Sequence, residues 1–218
     1  TPMFVSTLFI VLAAGLATAA PLDLTPRATK TSATATKIAV SGAGGFLNPT
    51  AVAKSQVKDL TATRAATGVQ IKDSTGQCLS IDPTAGNFRE NLIPIAVKDC
   101  DGSEGQKFDF VTKGAHIDQA NSALIVSSLT QGCLDFDARR APNIQVHIFS
   151  CGGRADGAGK ESSSQFFPFV AANLTAPYAL SPENTNNAVC FVNSNGALAP
   201  QDCDATKPSA TELFTIVA

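Results

Sequence analysis

The sequence contains no tryptophan, one tyrosine and two histidines in 218 residues. Thirteen phenylalanines must therefore supply nearly all of the aromatic packing, and two histidines are too few for a histidine-rich metal site or a pair of histidine catalysts. Charged residues make up 16% of the chain, below the roughly 25% of ordinary soluble domains. The net charge of -2 excludes a general nucleic-acid-binding surface, which needs a basic surplus. We expect no metal, no cofactor and no nucleic-acid partner.

The start of the sequence has the pattern of a signal peptide. An apolar stretch over residues 4–16 precedes Ala17-Thr18-Ala19, small residues at the spacing that a signal peptidase accepts. The stretch is shorter than the ~20 strongly apolar residues of a membrane anchor, and it is followed by Pro21 and not by basic residues. We predict a signal peptide over residues 1–19 and a secreted protein, extracellular or in the cell wall, without membrane insertion after cleavage.

Residues 20–66 differ in composition from the rest of the chain. Residues 20 to about 45 are rich in Thr, Ala and Ser and show no apolar periodicity, which is typical of a disordered linker or a propeptide. The glycines of residues 42–45 lack the third glycine of a dinucleotide-binding turn, because Leu47 stands in its place. We predict a linker or propeptide over residues 20–66 and one domain over residues 67–218, which contains all six cysteines.

The domain reads as all-β. Short runs in which apolar residues alternate with polar ones, such as Val69/Ile71 and Ile144/Val146/Ile148, are separated by Gly, Asp, Asn, Pro and Ser. A period of two with frequent turns and no convincing helical pattern predicts strands.

A unit of 55 to 57 residues occurs three times in this domain. In each unit, a predicted strand begins at one cysteine, a second cysteine follows, and the unit ends with a three-residue motif whose last residue is phenylalanine. Six cysteines without a CxxC motif indicate three disulfides in a secreted chain, although composition alone leaves their pairing open. The opening cysteines are Cys78, Cys133 and Cys190, the second ones Cys100, Cys151 and Cys203, and the triplets Gln106-Lys107-Phe108, Gln165-Phe166-Phe167 and Glu212-Leu213-Phe214.

Three units with an internal cysteine pair, two with a Gln-x-aromatic end and the third with Glu212 in place of the Gln, resemble the ricin B-type β-trefoil lectins, in particular secreted fungal members of that family. The resemblance covers about residues 67–218, and Phe stands where the family has Trp in the triplet. It implies a barrel capped by hairpins. The implied repeats are about 67–112, 113–170 and 171–218, and the implied disulfides are Cys78–Cys100, Cys133–Cys151 and Cys190–Cys203.

Strand pairing in the middle repeat predicts a ligand site. If Cys133 lies opposite Cys151, then Asp135 lies opposite Phe149 and Asp137 opposite His147, all on the side away from the core. An outward aromatic ring such as that of Phe149 can stack on the C–H face of a sugar, while the neighbouring Asp135 carboxylate accepts hydrogen bonds from two adjacent hydroxyls.

The resemblance assigns roles to the same residues. It implies that Asp135 grips the sugar, that Phe149 stacks on it and that His147 is a polar helper. Ser164 stands where the family prefers Asn before the triplet. The predicted carbohydrate-binding residues are Asp135, Phe149, His147, Ser164 and Gln165.

The other two repeats lack this combination. The same pairing rule places Ser80 opposite Lys98 and Val192 opposite Gln201, without a carboxylate or an aromatic ring. We therefore expect one sugar site at most, in the middle repeat, with glycans or glycoproteins as partners.

Structural alternatives stay open for these residues. Phe149 can pack under the Gly-rich insertion of residues 152–163, and Asp135 and Asp137 can cap the turn at Arg139-Arg140. The glutamines Gln106 and Gln165 can bond the hairpin backbone. His116 has no predicted role.

An enzyme is not predicted, and the rival function is protein binding. The chain has no GxSxG or HExxH motif, and Asp135 and Asp137 are two residues apart on one strand, so they cannot flank a glycosidic bond. A loop-presenting trefoil, such as a protease inhibitor, would use the loop of residues 152–160, which carries basic residues for a trypsin-like enzyme. Separately, Asn173-Leu174-Thr175 predicts N-glycosylation at Asn173.

Overall fold

The structure is a computed structural model that describes residues 36–218. The predicted signal peptide and residues 20–35 of the predicted linker lie outside the described residues. Within residues 36–218 the protein is all-β apart from one short α-helix and several single-turn 3-10 helices. No helix in this range has the length and apolar character needed to cross a membrane.

Thirteen strands join into one curled sheet. The helix is α1 (Pro49–Ser55). The strands are β1 (Thr63–Lys72), β2 (Cys78–Ser80), β3 (Ile93–Pro94), β4 (Ala96–Lys98), β5 (Phe108–Lys113), β6 (Ser122–Ser127), β7 (Cys133–Phe136), β8 (Val146–Phe149), β9 (Phe167–Pro168), β10 (Tyr178–Ala179), β11 (Val189–Ser194), β12 (Ala197–Asp202) and β13 (Leu213–Val217). The 3-10 helices are Pro83–Ala85, Glu104–Gln106, Pro142–Ile144, Ala171–Asn173, Glu183–Thr185 and Ala210–Glu212.

The pairing follows the three repeats. The first and last strands of the repeats pair antiparallel in the order β9-β6-β5-β1-β13-β10. The middle strands of each repeat form a hairpin, namely β2 with β4, β7 with β8 and β11 with β12. The predicted all-β class is therefore confirmed, and each hairpin presents one face to the core and one away from it.

Phenylalanine fills the core, as the missing tryptophan led us to expect. Phe191 is fully buried, and its ring centroid lies 5.9 Å from that of Phe136 and 5.8 Å from that of Phe167. Burying each such ring stabilises the fold by roughly 1.5–3 kcal/mol relative to leaving it exposed. The closing phenylalanines of the three triplets, Phe108, Phe167 and Phe214, are all fully buried.

Each hairpin carries one disulfide. The three bonds join the cysteines as the family resemblance implies, Cys78 to Cys100, Cys133 to Cys151 and Cys190 to Cys203. Their presence indicates an oxidising compartment.

The predicted strand register is wrong by two residues in all three hairpins. Cys133 lies opposite Phe149, and the first cysteines of the other hairpins, Cys78 and Cys190, lie opposite Lys98 and Gln201. The second cysteine of each pair has already left its strand or, for Cys203, follows it directly. Because the chain bends there, the Cα atoms come within 5.0–5.7 Å, closer than the roughly 7–8 Å of a regular diagonal pair. A shift of two residues leaves every side chain on its predicted face.

The structured domain begins earlier than residue 67. The Asn48 side chain accepts a hydrogen bond of 3.0 Å from the Ala51 N–H and caps α1, and β1 begins at Thr63. The Gln56 side chain, just after the helix, donates to the carbonyl of Glu90 (2.9 Å). A helix of seven residues held by its cap and by tertiary hydrogen bonds has too short an apolar face to give a periodic signal.

Candidate functional site

The middle hairpin carries the predicted site on its outer face. Strands β7 and β8 pair Leu134 with Ile148 toward the core and Asp135 with His147 away from it. The predicted pairing of Asp135 with Phe149 is thus corrected, because Phe149 lies one pair further along, opposite Cys133. Alternation along the strands still places Asp135, His147 and Phe149 on one face.

These three residues line a pocket of about 340 Å³. The turn after β7 forms one wall, and residues of the 152–163 insertion form another. Ser164 also lines the pocket, so the structure brings together four of the five predicted site residues. The remaining lining residues, which the sequence reasoning missed, are Phe136, Ala138, Arg139, Arg140, Gly153, Ser162 and Asn184, with Asp137 alongside them.

Asp135 and His147 form the buried floor of this pocket. The Asp135 Oδ2 and His147 Nε2 atoms are 3.7 Å apart, and both residues are almost completely buried. Burial lowers the pKa of His147, and the neighbouring Asp135 carboxylate opposes that effect only in part, so the imidazole is neutral at neutral pH. Among the described residues, Asp135 Oδ1 and His147 Nδ1 have no hydrogen-bond partner.

Phe149 is a wall of the pocket and not an open stacking platform. Its ring stands edge-on to His147, with centroids 5.7 Å apart and an interplanar angle of 81°. Only 9% of the residue is exposed. The sequence predicted an outward-facing ring. In the structure, the insertion after Cys151 brings Gly153 and Ser162 to the same pocket, which the alternation of side chains along the strand does not predict. Phe149 therefore both packs and lines the site.

Asp137 caps the turn, as one of the structural alternatives proposed. Its Oδ1 accepts hydrogen bonds from the Arg139 Nε (2.7 Å) and the Arg139 N–H (3.1 Å), and its Oδ2 accepts one from the Arg140 Nε (3.2 Å). The hydrogen bond from Arg139 lowers the pKa of Asp137 to about 2. Asp135 forms no such bond among the described residues, so the two carboxylates have different environments.

Gln165 is structural and does not line the pocket. It is fully buried, its Oε1 accepts from the Gly152 N–H (2.9 Å) and its Nε2 donates to the Ser150 carbonyl (3.1 Å). Its assignment as a sugar-binding residue is therefore replaced by the structural alternative. The side chain ties together the two residues that flank Cys151.

Gln106 does the same in the first repeat, where it bonds Asp99 O (2.9 Å) and Asp101 N–H (2.8 Å) on either side of Cys100. The third repeat has Glu212 at this position, and a carboxylate cannot donate. Its Oε2 accepts from the Ser209 N–H (2.6 Å) instead.

The insertion of residues 152–163 is fastened to the body of the domain. The Ala155 carbonyl accepts a hydrogen bond of 3.0 Å from the Asn91 side chain, and the Lys160 carbonyl lies 3.0 Å from His116 Nδ1. Arg154 and Asp156 form an ion pair of 3.0 Å within the loop. His116, to which we had assigned no role, thus holds the loop, and no motif in the sequence marks either His116 or Asn91 for this task.

The first repeat has an equivalent pocket with different chemistry. It measures about 290 Å³, and Ser80, Asp82 and Lys98 take the positions of Asp135, Asp137 and Phe149. Asp82 caps its turn as Asp137 does, by accepting from the Thr84 N–H (2.8 Å). Ser80 pairs with Ala96, and in the third repeat Val192 pairs with Ala199, so the predicted pairs Ser80–Lys98 and Val192–Gln201 are both wrong. Neither hairpin has a carboxylate facing a histidine.

The predicted glycosylation site is accessible. Asn173 ends the 3-10 helix Ala171–Asn173 and is exposed, as is Thr175 of the same sequon. Asn173 also borders a separate pocket of about 320 Å³ at the end of β9.

No family model matches this chain, and no curated protein matches it. Among solved structures, it is similar to the designed 3-fold symmetric protein ThreeFoil, with a TM-score of 0.49 and 10% identity over 69% of this chain and 97% of that one. It is also similar to an endo-β-galactosidase from Clostridium perfringens that releases GlcNAcα1-4Gal (TM-score 0.45, 13% identity, 69% and 32% of the two chains). A third similar structure is an exo-β-1,3-galactanase from Clostridium thermocellum (TM-score 0.46, 14% identity, 74% and 31%). The match thus spans about a third of each of these two enzymes.

Proposed function

We propose that this protein is a secreted β-trefoil of the ricin B type that binds one glycan through the pocket of its middle repeat, without catalysing a reaction on it. The observation that carries the proposal is the Asp135 carboxylate. Its Oδ1 is buried, lies in a residue that lines the pocket and has no hydrogen-bond partner among the described residues.

An unpartnered buried acceptor favours a ligand that donates hydrogen bonds. Leaving such a group unsatisfied costs about 1–3 kcal/mol, and more when it is charged. A ligand hydroxyl that donates to Asp135 Oδ1 recovers this energy through a charge-assisted bond. The neutral imidazole of His147, whose Nε2 lies 3.7 Å from Asp135 Oδ2, adds a second polar side chain to the lining of the same pocket. Several adjacent hydroxyls on one small molecule are the hallmark of a sugar.

The remaining walls fit the same class of ligand. The hydroxyls of Ser162 and Ser164 lie 2.6 Å apart at the pocket and can exchange hydrogen bonds with a polyol. Phe149 contributes apolar surface for sugar C–H groups. The Cys133–Cys151 bond and the fastened insertion fix these walls, so little conformational entropy is lost on binding.

One site gives weak binding to a single sugar. The equivalent pairs in the other hairpins, Ser80–Ala96 and Val192–Ala199, have no carboxylate, so the second and third sites that would add avidity are missing. Glycans or glycoproteins in the extracellular space or the cell wall are the partners we propose, since three disulfides are typical of secreted proteins.

Binding without catalysis follows from the two carboxylates. A glycosidase needs one carboxylate on each side of the scissile bond. Here Asp137 is bonded to Arg139 and Arg140, and Asp135 faces His147 and not a second carboxylate. This arrangement supports recognition of a sugar and offers no acid–base pair.

Protease inhibition is the second candidate, and one observation favours it. The Arg154 side chain is 65% exposed at the surface of the insertion. Against it, Arg154 is paired with Asp156 in a tight turn, and the loop is fastened at Ala155 and Lys160. We therefore propose sugar binding first.

Calorimetric titration of the purified secreted protein with galactose-, glucosamine- and mannose-containing oligosaccharides tests the proposal. Asp135→Asn keeps the shape of the side chain but removes its charge, and we expect it to weaken binding by about tenfold or more. Ser80→Ala, at the equivalent position of the first repeat, is the matched control and should bind as the unmodified protein does.

Two outcomes would count against the site. Sugar binding that survives in Asp135→Asn would place the ligand elsewhere, and no binding of any oligosaccharide at millimolar concentration would remove the sugar proposal. In the latter case, inhibition of a trypsin-like protease that is lost in Arg154→Ala would support the second candidate.

A further inference from the structure

The curled sheet has a seam between the end of the second repeat and the start of the third. In the described part of the chain, β9 pairs only with β6 and β10 only with β13, so each has one edge without a strand partner, and Pro168 of β9 and Tyr178 of β10 line the same pocket. Pro168 within β9 and Pro177 just before β10 have no N–H to donate, which is how proteins limit pairing at sheet edges.

A largely apolar pocket of about 320 Å³ lies at this seam. Phe169, Val170 and Pro177 line it, and Val170 is 48% exposed, one of the few large hydrophobic residues left open on the described surface. Apolar surface at an open sheet edge is an aggregation hazard unless something covers it.

The pocket includes the acceptor residue of the sequon in its own wall. Asn173 lines it, and Thr175 two residues later completes the acceptor sequence. Among the described residues, the Asn173 side chain forms no hydrogen bond, so its amide is free for modification. Both residues are exposed, so the folded protein has room for an attached glycan.

We propose that an N-linked glycan on Asn173 folds back into this pocket and covers the seam between β9 and β10. The donor is an oligosaccharide attached through N-acetylglucosamine to a polyprenyl diphosphate. Asn173 Nδ2 forms a bond with sugar C1 and loses one proton, while the C1–O bond to the diphosphate breaks and the polyprenyl diphosphate leaves.

Because the glycan is attached to Asn173 at the edge of the pocket, a weak interaction is enough to keep its first sugar in the pocket. A sugar that is tethered next to its pocket is present at an effective concentration in the millimolar range, so even a weak interaction is populated. The ring C–H groups and the acetyl methyl of the first sugar supply apolar surface for Val170 and Phe169. The hydroxyls stay in water, and the edges of the two strands become inaccessible to another chain.

The full chain secreted from eukaryotic cells provides the test. Intact mass should show one glycan, absent in Thr175→Ala and retained in Thr175→Ser. We expect the thermal midpoint of Thr175→Ala to be lower by about 2–4 °C, the shift of a modest single contact in a domain of this size. Thr175→Ser is the control, since it preserves the sequon.

A double-mutant cycle separates packing from mere attachment. Val170→Ser should lower the midpoint of the glycosylated protein by about 2–4 °C and leave that of the Thr175→Ala protein nearly unchanged. If Thr175→Ala fails to fold, enzymatic removal of the glycan from the native protein takes its place, and release should be several-fold slower than from the denatured protein.

An unmodified Asn173 in the secreted protein would overturn the proposal. A glycan on Asn173 would also overturn it under two joint conditions. Its loss would have to leave the thermal midpoint unchanged, and it would have to be released equally fast from native and denatured protein, because the glycan would then extend into solvent.

Discussion

The side-chain oxygen of Asn91 accepts a hydrogen bond of 2.7 Å from the backbone N–H of Ser150, the residue that follows β8. The same oxygen accepts from Gln56 after helix α1 (2.9 Å), and the Asn91 amide nitrogen donates to Ala155 in the insertion (3.0 Å). Asn91 is fully buried. One side chain thereby connects the N-terminal helix, the middle hairpin and the loop that encloses the pocket.

Replacing Asn91 should be among the more destabilising polar substitutions in the domain. Asn91→Ala removes the acceptor of the Ser150 N–H and hydroxyl and one of the acceptors of the Gln56 amide, and we expect it to lower the free energy of unfolding by about 3 kcal/mol. Urea denaturation followed by circular dichroism measures this loss. Asn184→Ala, which removes an exposed asparagine with a long bond of 3.4 Å to the Phe136 carbonyl, is the control and should cost under about 1 kcal/mol. Equal losses in the two variants would contradict the connecting role of Asn91.

Replacing Gln165, which bonds the residues on either side of Cys151, with glutamate should destabilise the domain. In Gln165→Glu the donor to the Ser150 carbonyl is lost and two acceptors face each other in a buried site, so we expect a loss of about 2 kcal/mol. Glu212→Gln is the matched exchange in the third repeat, where the side chain only accepts, and it should change the free energy of unfolding by less than about 1 kcal/mol. If Glu212→Gln lowered the free energy of unfolding more than Gln165→Glu did, the donor bond from Gln165 to the Ser150 carbonyl would not explain the difference between the two positions.

The insertion should open when its contact with helix α1 is broken. Gly157 has a φ of +76°, and a Cβ there would collide with the Lys54 carbonyl oxygen. We expect Gly157→Ala to speed tryptic cleavage of the native protein after Arg154 by about tenfold, equivalent to ~1.4 kcal/mol of local stability. Gly102→Ala places the same residue at a similar φ of +71° with open space around it, so it controls for backbone strain. Equal cleavage of both variants would mean that the loop does not depend on this contact.

The sequence predicted the parts of the site that depend on local pattern. Alternation along β7 and β8 placed Asp135 and His147 on the outer face, and the family resemblance implied the cysteine pairs. The register failed because the second cysteine lies outside the regular ladder, a feature of the bend after Phe149 that composition does not encode. The residues of the pocket walls were not predicted for a different reason. Asn184 comes from the third repeat, and Ser162 comes from an insertion held by distant hydrogen bonds, so only the folded chain brings them to Asp135.

The buried histidine of the site should make stability depend on pH. Burial lowers the pKa of His147 in the folded protein below its ordinary value of 6.5, despite the Asp135 carboxylate at 3.7 Å and in line with the nearby Arg140 charge. The unfolded chain therefore binds the proton more tightly than the folded protein does. Stability contributed by the neutral imidazole is complete above pH 6.5 and is lost as the pH falls from there toward the folded-state pKa.

Urea denaturation between about pH 7.5 and pH 5 measures this dependence, since most carboxylates titrate below that range. His147→Gln keeps a neutral polar side chain in the pocket, and we expect its free energy of unfolding to change much less across the same range. His116→Gln removes the other histidine of the chain and should retain the dependence of the unmodified protein. If His116→Gln flattens the profile and His147→Gln does not, the titrating group is the histidine that holds the insertion and not the one in the floor of the pocket.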